Sequence, residues 1–483
     1  MPLVRKPQML CMRHQRADFL RSGSEEPSMV PAVEPHFCVR ENGPQGIKCS
    51  QFVPVVPLSR ELRFENSSKG AGEVRDLQLQ LRVIRGTKLP ATRRANLDYS
   101  MKTLIDFTQI PVDRTGVGVY AENLVKELGP RFTGEDELIV LVQRDEVRMR
   151  EILRECRNAL VIPLPTTLFR YRGLLLLYEQ VVLPMLLLWK KIDVVHSLHY
   201  THPLYSPCPR VVTIHDLTFL LYPSLHTLGR RMIMPFFIKH AVKHAEALIF
   251  ISEATRLDAE RLLPSSGNLR RVIPLGVDPR GFDIGAQETE SVLRKFALDR
   301  PFVLFVGTLE PRKNIVRLIR AFDQIAIEHP DLLLVLAGKL GWDSQDIFVA
   351  QQASNYRDRI RHLGFVAESE KKALLVACEA LIYPSLYEGF GLPVLEAMAA
   401  GTPVITSNIS SLPEVAGEAA ILVNPLSIEE IASALRSILI DDIRRRNLGD
   451  LGKRRAAHFN WPNAASQTYA VYKSVSQKRL QSG

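Results

Sequence analysis

Glu388 and Glu396 stand eight residues apart in "YPSLYEGFGLPVLEAMAAGTPV" (383–404), with Gly389, Phe390, Gly391 and Pro393 between them. The segment reads as a strand, a glycine-rich turn and a short helix, with Pro393 in the helix's first turn and Gly401 just past its end. Glycines let the backbone turn tightly and approach a ligand closely. The free N–H groups and positive dipole end of such a helix make an anion site. Carboxylates beside it suit the hydroxyls of a sugar or a ribose, because each ionised acid accepts several hydrogen bonds. An exposed loop acid plus a helix-surface glutamate is the plainer reading of either residue alone; taken together they favour a phosphate-cradling turn.

Three further groups could share that chemistry. In "FVGTLEPRKNIVRLIRAF" (305–322), Arg312 and Lys313 follow a strand end and open a helix. Two cations there oppose the helix dipole unless an anion sits nearby, and a diphosphate would supply one. A solvated basic turn is the alternative. In "RVVTIHDLTFL", His215 and Asp216 end an apolar strand, which puts His215 on a ligand crevice or makes it a structural histidine. In "RTGVGVYAENL", Gly116 and Gly118 precede a helix and, with Ala121, match the dinucleotide fingerprint. Some eight residues separate them from the preceding strand, and the next strand lacks the expected acid, so a loop closing over a ligand fits better.

The elements that must carry these residues are regular. The chain has 483 residues, 46% hydrophobic and 24% charged, enough for two domains. Its net charge of +10 suggests an anionic partner without naming one. Nucleic acid is not expected, since aromatic and basic residues do not interleave. Cys11, Cys38, Cys49, Cys156, Cys208 and Cys378 show no CxxC or CxH spacing, which argues against a zinc site or disulfide scaffold and fits a reducing, cytoplasmic compartment. The N-terminus lacks a secretory apolar core; its Arg-rich, acid-poor start is a weak match to an organelle transit peptide. The run "GLLLLYEQVVLPMLLLW" (173–189) is broken by Glu179, Gln180 and Pro184, so it is expected to be a buried helix and not a membrane span.

Residues 1–100 show little periodicity and read as a disordered extension, a mis-assigned start before Met101, or a small accessory domain. From Met101, near-continuous apolar strands alternate with helices, the pattern of a parallel sheet covered on both faces. The alternation restarts after a linker, giving an α/β chain of two Rossmann-like, doubly wound domains: 101–280, linker 281–298, and 299–455. Residues 456–483 form an amphipathic tail expected to cross back over the first domain. The helix "LGRRMIMPFFIKHAVKHA" (228–245) mixes cations with large apolar groups. It either lies at an anionic membrane surface or packs on its sheet with a basic outer face.

Taken together, these motifs resemble the retaining glycosyltransferases of family four, the "group 1" transferases of the GT-B fold, over roughly residues 101–475. "EGFGLPVLE" looks like that family's EX7E motif, and "IHD", "FISEATRLD", "VIPLGVD" and "GTLEPRKN" follow its order. The resemblance implies that Glu396 holds the nucleotide ribose and that Glu388 contacts the transferred sugar. It places backbone N–H groups of Phe390, Gly391 and Leu392 near sugar and phosphate, and Arg312 and Lys313 on the diphosphate. His215 lies near the donor sugar, and Gly116 to Gly118 form the glycine loop. Thr308 stands where many members have Arg, and Leu275 where Asn is usual. The "GTLEPRKN" branch resembles bacterial mannosyltransferases that build O-antigen and exopolysaccharide. That implies GDP-mannose as co-substrate and a glycan acceptor, with no cofactor. No DxD pair stands at a strand end to suggest a bound metal. The helix 228–245, read as a membrane-surface helix, adds the expectation of a lipid-linked glycan acceptor and a place in the cytoplasm on the inner face of the plasma membrane. A sugar-nucleotide epimerase, an NAD-dependent oxidoreductase and a non-catalytic sugar-binding partner remain as alternatives.

Overall fold

The computed structural model describes residues 100–110, 114, 116–165, 172–264 and 267–482. Apart from residue 100, the extension expected over 1–100 lies outside them. The described residues belong to one unit, Arg94–Gly483.

Strand-forming runs give two parallel sheets. The first joins β1 (Lys102–Asp106), β2 (Glu137–Gln143), β3 (Ala159–Leu164), β4 (Val194–Ser197), β5 (Arg210–Ile214), β6 (Ala247–Phe250) and β7 (Leu269–Val272) in the order β3-β2-β1-β4-β5-β6-β7. The second joins β8 (Phe302–Val306), β9 (Leu333–Ala337), β10 (Ile360–Gly364), β11 (Ala380–Tyr383), β12 (Val404–Ser407) and β13 (Ile421–Val423) in the order β10-β9-β8-β11-β12-β13. Every residue of β5, β8, β9 and β11 is buried, as a sheet covered on both faces requires. The strand order reverses between β1 and β4 and again between β8 and β11. Ligands of open α/β sheets bind outside the carboxyl ends of strands at such a reversal.

Between the two sheets, the segment just ahead of the linker meets the C-terminal segment. Val277 N donates to the Phe459 carbonyl at 3.0 Å. A side chain at Gly276 would lie 2.3 Å from the Trp461 nitrogen, so the two segments touch through glycine. The helix Trp461–Ser482 then returns to the first sheet. Its Lys473 pairs with Asp136 at 2.6 Å, and Tyr469 also bonds that acid. Tyr472 bonds Nδ1 of the fully buried His196 at 2.6 Å, and His196 Nε2 bonds Thr213 at 2.8 Å. Removing that hydroxyl by Tyr472→Phe leaves a buried imidazole nitrogen unsatisfied. A loss of about 1–3 kcal/mol in a thermal or urea melt is expected.

One expectation fails. The run 173–189 is not a buried helix but two helices, Arg172–Leu177 and Leu183–Trp189, joined by a π-helical turn at Tyr178–Val182. Tyr178, Glu179, Leu183 and Leu187 form one buried stripe, while Leu177, Met185, Leu188 and Trp189 face outward, Trp189 at 73% exposure. The sequence conceals this division, because its one charged residue, Glu179, lies on the buried stripe and no polar face marks the outside. The helix Leu228–His244 is divided too: Phe237, Ile238, Ala241 and Val242 pack inward, whereas Leu228, Met232, Phe236, Arg230, Arg231 and Lys239 are exposed. Among the described residues no helix is long and apolar enough to cross a membrane.

Candidate functional site

The cluster of charges forms where β8 and β11 end side by side. After β8 the backbone runs through Gly307 (φ 147°), and a side chain at Gly338 would lie 1.9 Å from the Gly307 carbonyl oxygen. A single 3-10 turn, Pro311–Lys313, follows. Arg312 and Lys313 therefore sit just ahead of the helix Ile315–Ala326 and not within it. Asn314, in the left-handed conformation, donates to the carbonyls of Pro384 (3.0 Å) and Pro425 (2.6 Å), stapling this turn to the loop after β11.

That staple brings Glu388 between the two cations. Lys313 Nζ lies 2.6 Å from Glu388 Oε1 and donates to the Tyr383 hydroxyl at 2.6 Å. Arg312 Nη1 lies 2.9 Å from Glu388 Oε2 and donates to the Tyr387 carbonyl at 2.7 Å; its Nη2 reaches Glu310 at 2.7 Å. Lys313 and Glu388 are both buried. Burial alone would raise the Glu388 carboxyl, but Arg312 and Lys313 hold it down at about 2. Burial, followed by repulsion from Arg312, lowers Lys313. The result is two cations against one central acid, Lys313 and Glu388 buried and Arg312 part-buried, with Glu310 as Arg312's second carboxylate.

The glycine-rich turn is held from below. Ser411 Oγ lies 2.9 Å from the Glu388 carbonyl and 2.7 Å from the Phe390 carbonyl, its single proton shared between them, and Glu388 N donates to Ser410 at 3.1 Å. Gly391 has φ 120°, and a side chain there would press on Leu412 at 2.8 Å. Among the described residues the amides of Phe390, Gly391 and Leu392 donate to no protein acceptor. They form the mouth of the nine-residue helix Leu392–Ala400, whose positive end complements an anion. Glu396, one turn inside that helix, is buried and pairs with Lys371 Nζ at 2.7 Å. Burial raises its carboxyl, and Lys371 opposes the rise.

His215 meets this turn from the first sheet. A side chain at Gly389 would lie 1.9 Å from the His215 carbonyl oxygen, so the two backbones are in contact. The imidazole is buried, bonds the Leu198 carbonyl through Nε2 at 2.8 Å, and stands edge-on to Tyr120 at 5.0 Å; burial lowers its pKa. Around this contact Tyr387 donates to Asp258 at 2.9 Å, and Thr255 donates to the Gly389 carbonyl at 3.3 Å. Glu414 accepts from Glu253 N at 2.9 Å, capping a first-sheet helix from the second sheet's side.

The glycine loop is different from the sequence expectation. Gly116 and Gly118 lie in the first turn of the helix Gly116–Leu128, not in a loop before it. Gly116 is exposed, and a side chain at Gly118 would meet Arg114 at 3.1 Å. Arg114 is in turn tied to Glu122 at 2.9 Å and to Glu146. The structure thus gathers Arg312, Lys313, Glu388 and the amides of Phe390, Gly391 and Leu392, sets His215 against their turn, and places Gly118 where a side chain would meet Arg114 and Ile110. Residues that sequence reasoning missed are Lys371, Tyr383, Glu310 and Glu414. Each reads as an ordinary strand-end or helix-surface residue, and only its partner marks it.

Two family models match the chain in succession: one described as Glycosyltransferase Family 4 over residues 114–280, and one as Glycosyl transferases group 1 over residues 287–455. The O-antigen chain mannosyltransferase B of Escherichia coli is 28% identical over 386 residues, covering 77% of this chain and 100% of that protein. The alpha-maltose-1-phosphate synthase of Mycolicibacterium smegmatis is 31% identical over 287 residues, 56% of this chain and 73% of that one. The chain belongs to the group 1 glycosyltransferases. Among solved structures, Anabaena HepE in complex with UDP and glucose superposes with a TM-score of 0.61 at 18% identity, over 77% of this chain and 100% of that one. This likeness shows the GT-B fold: two Rossmann-like parallel-sheet domains. In this group 1 glycosyltransferase the Arg312–Lys313–Glu388 cluster falls within the second matched segment, and His215, Gly116 and Gly118 fall within the first.

Proposed function

We propose that the chain transfers a hexose, mannose, from GDP-mannose to a hydroxyl of a growing, lipid-linked cell-surface polysaccharide, with retention of anomeric configuration and without a metal ion. The observation that carries this reading is the pair of cations on Glu388, Lys313 buried and Arg312 part-buried, beside a helix mouth with three undonated amides. Arg312 and Lys313 with that mouth suit a departing diphosphate, stabilising negative charge as it develops. Glu388 contacts the transferred sugar, Glu396 the ribose, and His215, kept neutral by burial, stands on the sugar's other side. The first turn at Gly116 and Gly118 borders the donor from the first domain. Attack comes from the front face. The bond from the anomeric carbon to the phosphate oxygen breaks, the acceptor oxygen bonds on the same face, and its proton passes to the leaving phosphate oxygen.

Similarity to the O-antigen chain mannosyltransferase B supports mannose and a polysaccharide acceptor. A lipid-linked acceptor is supported by the outward face of the first domain. Exposed Met185, Trp189, Met232 and Phe236 accompany exposed Arg230 and Arg231. The two helical segments that carry them are neighbours, since Gln180 donates to the His202 carbonyl (3.0 Å) and His202 bonds His240 (3.0 Å). Such a face suits peripheral contact with an anionic membrane on its cytoplasmic side. The test is a product screen of the purified protein against a panel of nucleotide sugars with lipid-linked acceptors, the anomer being read by NMR. Transfer of mannose with retention is expected. An isomerised donor without transfer would identify an epimerase instead, and an inverted linkage would remove the front-face mechanism.

A further inference from the structure

Glu396 is a carboxylate with its two oxygens in different situations. Oε1 is held by Lys371 Nζ at 2.7 Å, and the two side chains keep only 13% and 9% exposure. Among the described residues Oε2 accepts no hydrogen bond, yet it is not one of the sealed, unpartnered polar atoms. Glu396 follows Leu392 by four residues, so it lies on the same helical face, one turn from the amide-lined mouth. Lys371 comes from another element, the helix Glu368–Ala377, and its second partner is Glu368 at 2.9 Å. An unpaired buried carboxylate would take up a proton; one fixed on a cation stays ionised and points its free oxygen in a set direction.

We infer that Lys371 is the positioning residue that makes Glu396 a recognition group for the vicinal diol of the donor's ribose. It holds Oε1 so that both lone pairs of Oε2 accept from the 2′ and 3′ hydroxyls. The inference rests on the reading proposed above and adds to it a source of discrimination between ribose and 2′-deoxyribose donors. A site built to accept a substrate hydroxyl rejects the analogue lacking it, because its own polar group is left unpaired. The charged groups that act on the Glu396 carboxyl are Lys371, Glu368 and Lys372, all on the helix Glu368–Ala377. Of the other elements packed on the helix Leu392–Ala400, Asp442–Ala456 turns Lys453 towards Gly401 and Arg455 towards Gly417. Leu412–Ala416 directs Glu414 to Glu253, and the turn Pro279–Phe282 directs Arg280 to Asp278. Lys371 is thus the cation that bonds the carboxyl directly.

The test is calorimetric titration of GDP, UDP and their 2′-deoxy counterparts into the full chain, as wild type, Lys371→Met and Lys371→Arg, between pH 6 and 8.5. In wild type the ribonucleotide should bind about tenfold or more tighter than its 2′-deoxy form. In Lys371→Met that ratio should collapse towards one. Ribonucleotide binding should then strengthen steeply as pH rises, because burial unopposed by Lys371 leaves Glu396 protonated at the acid end. Lys371→Arg should restore both properties. If Lys371→Met does not fold, Glu396→Gln, which removes the stranded charge, should show the same loss of discrimination. A ribose-to-deoxyribose ratio and pH slope unchanged in Lys371→Met would overturn the inference while leaving the donor site in place. Wild type that binds neither diphosphate would instead bring down the donor site itself.

Discussion

Glu388→Gln is expected to lower turnover about a thousandfold while nucleoside diphosphate binding is kept or strengthened. The two effects separate because Glu388 has two roles. In the free protein it is the counter-charge of Arg312 and Lys313, at 2.9 and 2.6 Å, and in the proposed reaction it contacts the sugar. Glutamine keeps its shape but releases both cations to the diphosphate. The same change leaves the buried Lys313 without its counter-charge, while the part-buried Arg312 keeps Glu310, so stability should fall by about 3 kcal/mol. Saturating nucleoside diphosphate should recover much of that loss, since a ligand that binds only the folded chain stabilises it. The pH dependence follows from the Glu388 pKa, which is depressed from 4.5 to about 2 in the folded chain. Its pairing therefore stabilises fully above about pH 4.5, and this contribution is lost as pH falls towards 2. In Glu388→Gln this part of the acid-side slope should vanish. Turnover and affinity that fall together would mean that Glu388 binds the donor only as a ground-state contact.

Lys313→Met should have the opposite sign in binding. It removes a cation that the proposed function sets on the diphosphate, so both turnover and nucleoside diphosphate affinity are expected to fall, turnover by about a thousandfold. Methionine fills much of the volume, which keeps Tyr383 packed, and Glu388 retains Arg312. Lys313→Arg should not rescue activity, because the site around Nζ is buried and already filled by the Tyr383 hydroxyl and Glu388 Oε1 at 2.6 Å each. Steady-state kinetics and titration on the two variants give a sign test: affinity up or level for Glu388→Gln, and down for Lys313→Met. The same sign in both would show that the three side chains are a structural ion cluster and not the diphosphate's seat.

The fold was readable wherever strands are buried on both faces. "FVLFV" and "LLVLA" admit little other than interior strands, and they are β8 and β9. Glu388, Arg312 and Lys313 were also legible, because each follows a strand end where a parallel sheet opens its ligand edge. Three features were not. The run 173–189 is apolar apart from Glu179 and Gln180, and Glu179 lies on the buried stripe, so no polar residue marks Met185 and Trp189 as outward. Gly116 and Gly118 look like loop residues by composition, yet the helix begins at Gly116, where the ties from Arg114 to Glu122 and Glu146 brace the turn. Lys371 sits in "ESEKKALL", which reads as a solvated helix start. Its partner Glu396 is 25 residues away, and only the packing of two helices brings them together.

Titration of GDP and UDP into wild type and the Arg312→Ala/Lys313→Met double variant bears most directly on the seat of the diphosphate. The expected result is saturable binding of one nucleotide to wild type and a loss of at least about a hundredfold in the double variant, with its melting temperature showing a folded protein. Wild-type affinity in that variant would contradict a diphosphate held between Arg312, Lys313 and the helix mouth.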